Sequence, residues 1–289
     1  MDLARKSLIS IFLLILAFNL DAQHSFSIGL IADCQYCSDP GPGVRKYALS
    51  TSKLSACVKH FNQENLKYVI HLGDFIDRDF ESFAVIKPIY DSLSAPSYHV
   101  LGNHDFSVTD SLKLKIPQIM GLPSKYYSFD MVGWRFIVLD GNDISFHAYA
   151  ENSKGYRRAV RYYKRHALTS PKWNGAMGEE QMQWLDQQLA DADTADLQVI
   201  LYCHFPVSPE NVHNLWNANE VLQLIKPHKS LKAFINGHNH AGNYACVDGI
   251  HFLTLKGMVD TTETAYAILD IEKDMIVVRG FGREENRVL

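Results

Sequence analysis

Five apolar runs in this 289-residue chain each stop at side chains able to bind a cation or move a proton. Asp33-Cys34-Gln35 follows SFSIGLIA, Gly73-Asp74-Phe75-Ile76-Asp77-Arg78 follows KYVIHL, and Gly102-Asn103-His104-Asp105 follows YHVL. His204 closes LQVILYCH, and Gly237-His238-Asn239-His240 follows KAFIN. Singly, each group has an ordinary use: an Asp after a strand caps the next helix, an Asn holds a turn, and a lone His satisfies core polarity. Those uses do not explain why all of them gather at the carboxyl ends of consecutive strands, the edge where open α/β sheets bind ligands.

Asp33, Gln35, Asp74, Asn103, His204, His238 and His240 supply seven oxygen or nitrogen donors with no need for a thiolate. That exceeds what one tetrahedral ion uses. It suits two divalent ions ~3.5–4 Å apart that share a carboxylate, activate water and neutralise phosphoryl oxygens. His238 and His240 alternate in an extended stretch, so their rings share a face and can split between the ions. Such donors favour Mn, Fe or Zn over Cu. Gly73, Gly102 and Gly237 let the backbone turn sharply at each strand end.

The elements that must position these groups read as β-α-β units. Strands over Ser25–Asp33, Lys67–Asp74 and Tyr98–Asn103 are separated by helical stretches over Tyr47–Asn62 and Phe80–Leu93. Tyr126–Met131 and Trp134–Asp140 flank Val132-Gly133 as a hairpin, and Glu179–Ala192 carries apolar residues at helical spacing. Leu197–His204 and Leu231–His238 are further strands, and Tyr244–Phe281 is strand-rich. The expectation is one α/β domain, residues 23–289, built on two packed sheets with helices outside. A hydrophobic content of 47% excludes disorder as the main state. A net charge of −4, from 28 basic and 32 acidic residues, gives no general reason to expect a nucleic-acid partner.

Residues 1–22 have the form of a signal peptide: Arg5 and Lys6, an apolar run Leu8–Leu20, then Ala22. Thirteen residues fall short of a membrane span of ~20. The chain is therefore expected to be exported, periplasmic or extracellular, without a stable membrane anchor. Five cysteines permit at most two intramolecular disulfides, and Cys34/Cys37, lacking a second such pair, read as ordinary or paired cysteines rather than a zinc site.

The ordered blocks D-x-[H/Q], G-D-x-x-D, G-N-H-[D/E], H and G-H-x-H resemble those of calcineurin-like metallophosphoesterases. Gln35 in place of the usual His is similar to a narrower group, the manganese-dependent ADP-ribose/CDP-alcohol diphosphatases. So are IADCQY, Glu180-Gln181 with Trp184-Leu185, NVHNLWN, LKGMVDT and RGFGR. The resemblance spans roughly Ile28 to Arg283 and implies a four-layer sandwich, two mixed β-sheets flanked by helices. It implies that Asp33, Gln35 and His240 hold one ion, that Asn103, His204 and His238 hold the other, and that Asp74 bridges them. His104 matches the catalytic histidine that contacts phosphoryl oxygens and protonates the leaving oxygen. Asp77 either orients His104 or serves as a capping or salt-bridging residue.

For substrate, Arg45 resembles part of a basic run in that group, and Trp216-Asn217 matches a W-N pair near the nucleotide. Trp216 either stacks on a base or packs in the core. The seven Lys/Arg between Ser145 and Gly175 either line the pocket or form a solvated helical face. The resulting expectation is a hydrolase that cleaves the phosphoanhydride of a small nucleoside diphosphate derivative with two divalent ions, Mn foremost. Rivals are a phosphomonoesterase or cyclic-nucleotide phosphodiesterase of the same superfamily (encouraged by Arg78) and a metal-stabilised binding module without turnover.

Overall fold

A computed structural model describes residues 25–289 except 167, 273 and 274. The expected signal peptide lies outside the described residues. The strands are β1 (Phe26–Ile31), β2 (Leu66–His71), β3 (Ser97–His99), β4 (Tyr127–Met131), β5 (Trp134–Val138), β6 (Gln198–Tyr202), β7 (Leu231–Asn236), β8 (Asn243–Val247), β9 (Ile250–Thr254), β10 (Ala265–Ile271), β11 (Ile276–Gly282) and β12 (Arg287–Val288). The helices are α1 (Ser50–Phe61), α2 (Ser82–Tyr90), α3 (Ile116–Ile119), α4 (Lys154–Arg165), α5 (Glu179–Thr194) and α6 (Ala218–Ile225).

Two mixed six-stranded sheets result, ordered β12-β11-β10-β1-β2-β3 and β4-β5-β6-β7-β9-β8. β1, β2 and β3 run parallel, as do β5, β6, β7 and β9, whereas β10–β12, β4 and β8 join antiparallel. The strand period of two divides each sheet into an inner and an outer face. Ile28, Leu30, Tyr68 and Ile70 of one sheet meet Phe136, Ile200, Tyr202 and Ile235 of the other in a buried layer between them. The Tyr68 and Tyr202 hydroxyls pair across that layer at 2.9 Å, so neither polar tip is left unmatched. Outer-face residues such as Val69 and Ile268 pack under α1 and α2, and Val199 and Leu201 pack under α5 and α6. This is the expected four-layer sandwich.

Several boundaries differ from expectation: β1 stops at Ile31, β2 at His71, β6 at Tyr202 and β7 at Asn236, which leaves Asp33, Asp74, His204 and His238 in the loops beyond them. Tyr98–Asn103 pairs as a strand only through His99, because residues 100–103 must leave the sheet edge to carry Asn103 and His104 into the site. Tyr47–Asn62 is split into a 3-10 turn at Tyr47–Leu49 and the helix α1. All five cysteines are free thiols, four of them buried and Cys246 exposed.

Candidate active site

The parallel strands of both sheets end at one edge, and the loops leaving them converge. Four of the seven candidate metal ligands, Asp33, Gln35, Asp74 and His238, have left-handed backbone at φ of 53, 43, 57 and 69°. For residues with a Cβ this conformation is sparsely populated and costs of order 1 kcal/mol or more each, so the surrounding fold must impose it. Close packing requires Gly73 in the same way. It has φ of +96°, and a Cβ there would meet His204 Nδ1 at 2.5 Å.

Asp74 stands at the centre. Its Oδ1 accepts the His104 backbone N–H at 2.8 Å, and its Oδ2 accepts from Gln35 Nε2 at 3.0 Å and lies 3.3 Å from His204 Nε2. Asn103 Oδ1 is 3.2 Å from His204 Nε2, and His238 Nδ1 is 3.1 Å from the same nitrogen. Asp33 accepts the His238 backbone N–H at 3.1 and 3.2 Å and faces His240 Nε2 at 3.5 Å. The structure thus brings all seven predicted ligands together.

The donors fit a pair of cations on three grounds. Ligand atoms of Asp74, His204 and His238 all lie within 4.8 Å of one another. The buried Gln35 Oε1 has no hydrogen-bond partner, an exception that calls for an unseen ligand. Finally, each histidine has its outer nitrogen held by an oxygen: His204 Nδ1 by Leu72 O at 2.8 Å, His238 Nε2 by Asn174 Oδ1 at 3.0 Å, and His240 Nδ1 by Asp260 Oδ1 at 3.0 Å. Those acceptors place the proton on the outer nitrogen and aim the inner lone pair at the carboxylates, the usual arrangement around metal-bound imidazole.

Electrostatics agree. Burial opposes charge on His204 and His240, yet Asp74 and Asp33 respectively outweigh it and raise both to about 9. Burial would likewise raise Asp74, but the His204 and His104 charges hold its carboxyl well below the usual range. Without a cation, protons on imidazole supply the positive charge that the carboxylates demand.

His104 sits at the rim, its Nδ1 2.9 Å from Asp77 Oδ1, which leaves Nε2 as the free ring nitrogen. Asp77 thus stands against the His104 ring and also pairs with Arg78 at 2.8 Å, so both placements expected of it, beside the histidine and in a salt bridge, are present. Asp105, the residue directly after His104, performs a task that its place in G-N-H-D did not reveal. Its carboxylate accepts backbone N–H groups of Asp74, Phe75 and Gly102 at 3.2, 2.8 and 2.8 Å, fastening the loops after β2 and β3 to each other.

A cavity of about 690 Å³ opens over this cluster and is bounded by Arg45, Phe146, Lys172, Trp173 and His213 besides the polar residues above. Arg45 is where the sequence placed it. Trp216 is not in the cavity wall: its indole is 8% exposed, donates to Pro171 O at 3.0 Å and packs against Phe146 and Tyr163. Asn217 exchanges hydrogen bonds with Met177, accepting at 3.2 Å and donating at 2.9 Å. The W-N pair thus braces the segment that presents Trp173 and Asn174. The exposed aromatic at the cavity is Trp173, 40% exposed and 5.1 Å from the His238 ring, with Phe146 half-buried in the same wall. The basic stretch divides: Lys172 reaches the cavity, whereas Lys154, Arg157, Arg161, Lys164 and Arg165 form the exposed face of α4.

Residues 26–242 match the family model for calcineurin-like phosphoesterases, and the chain belongs to that family. It is a metal-dependent hydrolase of phosphate esters or anhydrides. Among curated relatives, the manganese-dependent ADP-ribose/CDP-alcohol diphosphatase of Arabidopsis thaliana is 31% identical, covering 91% of this chain and 96% of its own length. The Homo sapiens protein of the same description is 27% identical over 94% and 95%. Among solved structures, a dimetal phosphatase from Danio rerio superposes with a TM-score of 0.82 at 28% identity, covering 91% of this chain and 98% of that one.

Proposed function

We propose that this protein hydrolyses the phosphoanhydride bond of nucleoside diphosphate derivatives of the ADP-ribose and CDP-alcohol type, using two divalent ions, manganese foremost. The observation that carries the reading is the cavity itself. Arg45 and Lys172 supply cationic walls for a diphosphate and Trp173 an exposed aromatic face for a base, beside the carboxylate–imidazole cluster. The names of the relatives support the same substrate class.

The bound ions supply Lewis-acid stabilisation of phosphoryl oxygens and an activated water. Asp33, Gln35 and His240 would hold one ion and Asn103, His204 and His238 the other, with Asp74 between. The remaining work falls to the chain's own groups. Asp77 fixes the His104 ring, and the free Nε2–H of His104 donates to the leaving oxygen as its bond to phosphorus breaks. Asp74, by accepting the His104 backbone N–H, ties the acid to the cluster it serves.

Purified protein loaded with Mn²⁺ and given ADP-ribose is expected to release AMP and ribose 5-phosphate without free phosphate. Preferential turnover of p-nitrophenyl phosphate or a cyclic nucleotide would overturn the substrate assignment in favour of the monoesterase or phosphodiesterase reading. Residues 1–22 are proposed as an export leader on their composition. Protein recovered from an exporting host should then begin near Gln23.

A further inference from the structure

Two segments distinctive in the sequence, LKGMVDT and RGFGR, supply none of the seven donors, and only Asp260 of the first has entered the site so far, behind His240. In the fold they meet behind His240. The turn 256–261 after β9 crosses the end of β1, with Met258 N–H donating to Ala32 O and Val259 N–H to Asp33 O, both at 2.9 Å. A Cβ on Gly257 would stand 2.6 Å from the His240 ring, so this backbone packs directly on the imidazole whose Nδ1 is held by Asp260.

A lysine on a distant helix holds the turn. Lys53 of α1, 5% exposed, places its ammonium 2.8, 3.3, 3.2 and 2.7 Å from the carbonyl oxygens of Met258, Val259, Asp260 and Thr261. Four consecutive carbonyls turned toward one point repel one another unless a cation sits there. On the other side, Arg283 of RGFGR donates to Gly257 O, and Lys256 Nζ donates to Arg283 O at 2.8 Å. Lys53 itself touches neither the cavity nor any of the seven donors.

We propose that Lys53 is a positioning residue for the cation site: by fastening turn 256–261 it holds Asp260 where Asp260 orients His240 toward Asp33, and so sets divalent-ion affinity on that side. The inference rests on the dimetal reading of the site. Outer partners of this kind change metal affinity by about 10–100-fold, because they determine which imidazole nitrogen carries the proton and where the ring points.

The test is Mn²⁺ titrated into chelator-stripped protein, with free ion followed by electron paramagnetic resonance, a readout independent of turnover. Lys53→Met and Asp260→Asn are each expected to weaken one of two sites by about 10–100-fold. The double variant should bind no more weakly than Asp260→Asn alone, since the lysine acts through that carboxylate. In assays, the Mn²⁺ concentration for half-activation should rise while the substrate KM at saturating Mn²⁺ stays at the wild-type value. Folded Lys53→Met with wild-type Mn²⁺ affinity, or losses that add in the double variant, would overturn the proposal. Should Lys53→Met not fold, Lys53→Arg keeps the charge but cannot meet four convergent carbonyls with a planar head. It must then weaken one site, and wild-type binding would overturn the proposal equally. Wild-type protein that takes up no Mn²⁺ at all would instead overturn the dimetal reading beneath it.

Discussion

The Nδ1 of His104 stands 2.9 Å from Oδ1 of Asp77, and the same carboxylate is held from its other oxygen by Arg78 Nε at 2.8 Å. This relationship commits one ring nitrogen of His104 to Asp77 and leaves the other for the proton transfer proposed above. Burial opposes its charge, but Asp74 and Asp77 together raise its pKa.

His104→Ala is therefore expected to lower kcat by about 10²–10⁴. Asp77→Asn should cost less, about tenfold, and should move the alkaline limb of the kcat profile to lower pH. The sign follows from the role: a general acid is active while protonated, and removing the Asp77 charge makes His104 lose its proton earlier. Steady-state kinetics across pH at saturating Mn²⁺ checks both.

Metal loading should release protons. In the metal-free protein His204 and His240 titrate at about 9, so near pH 7 both are charged and both must give up a proton to become ligands. Calorimetry of Mn²⁺ binding in two buffers of different ionisation enthalpy measures the number, expected to approach two at pH 7. Chelation should abolish hydrolysis, and Mn²⁺ should restore it.

Trp173→Ala is expected to raise KM for nucleoside diphosphate substrates by roughly 5–150-fold, the equivalent of about 1–3 kcal/mol of base stacking. Turnover of a small phosphodiester that lacks a base should be far less affected. Trp216→Phe, which removes the hydrogen bond to Pro171 O and part of the buried ring packed on Phe146 and Tyr163, should change stability more than specificity. A substrate panel assayed on both variants separates the two tryptophans.

Asp105→Ala should destabilise the protein by at least about 2–4 kcal/mol, because buried N–H groups of Phe75 and Gly102 lose their acceptor. Asp105→Asn, which retains one acceptor oxygen, should cost less. Urea unfolding of the metal-free proteins gives the comparison.

Acid stability has its own origin in His71 and His99, packed with Phe75 and Tyr90 in the outer core of the first sheet. Burial lowers His99 to about 3 and pushes His71 well below its ordinary value. The unfolded chain takes up a proton near pH 6.5 that the folded one refuses, so stability is full above that value. It falls as pH drops toward 3, by up to about 1.4 kcal/mol per pH unit for each group. His99→Phe should flatten part of this decline when metal-free protein is unfolded in urea at pH 7.5 and pH 5.

The alternation of apolar residues made β1, β2, β6 and β7 legible, and the polar residues at their ends made all seven donors and His104 legible. A strand's carboxyl terminus is a local property, and so is the list of side chains that follow it. The limit of β3 was not local: YHVL reads as a continuous strand, yet its last residues must leave the sheet for Asn103 to reach His204. Trp216 and Trp173 are equally aromatic in the sequence, and only packing decides that the first braces a segment and the second faces the cavity.

The linear chain, through the order and spacing of its blocks, determined the family, the layered α/β architecture and the donor set. The tertiary structure alone decided what stands behind those donors. Asn174, Asp260 and Leu72 each hold the outer nitrogen of a histidine far from them in the chain, and Lys53 gathers four carbonyls some 205 positions away. Such contacts carry no periodicity or local spacing, because they arise only when two sheets pack and separate loops share one edge.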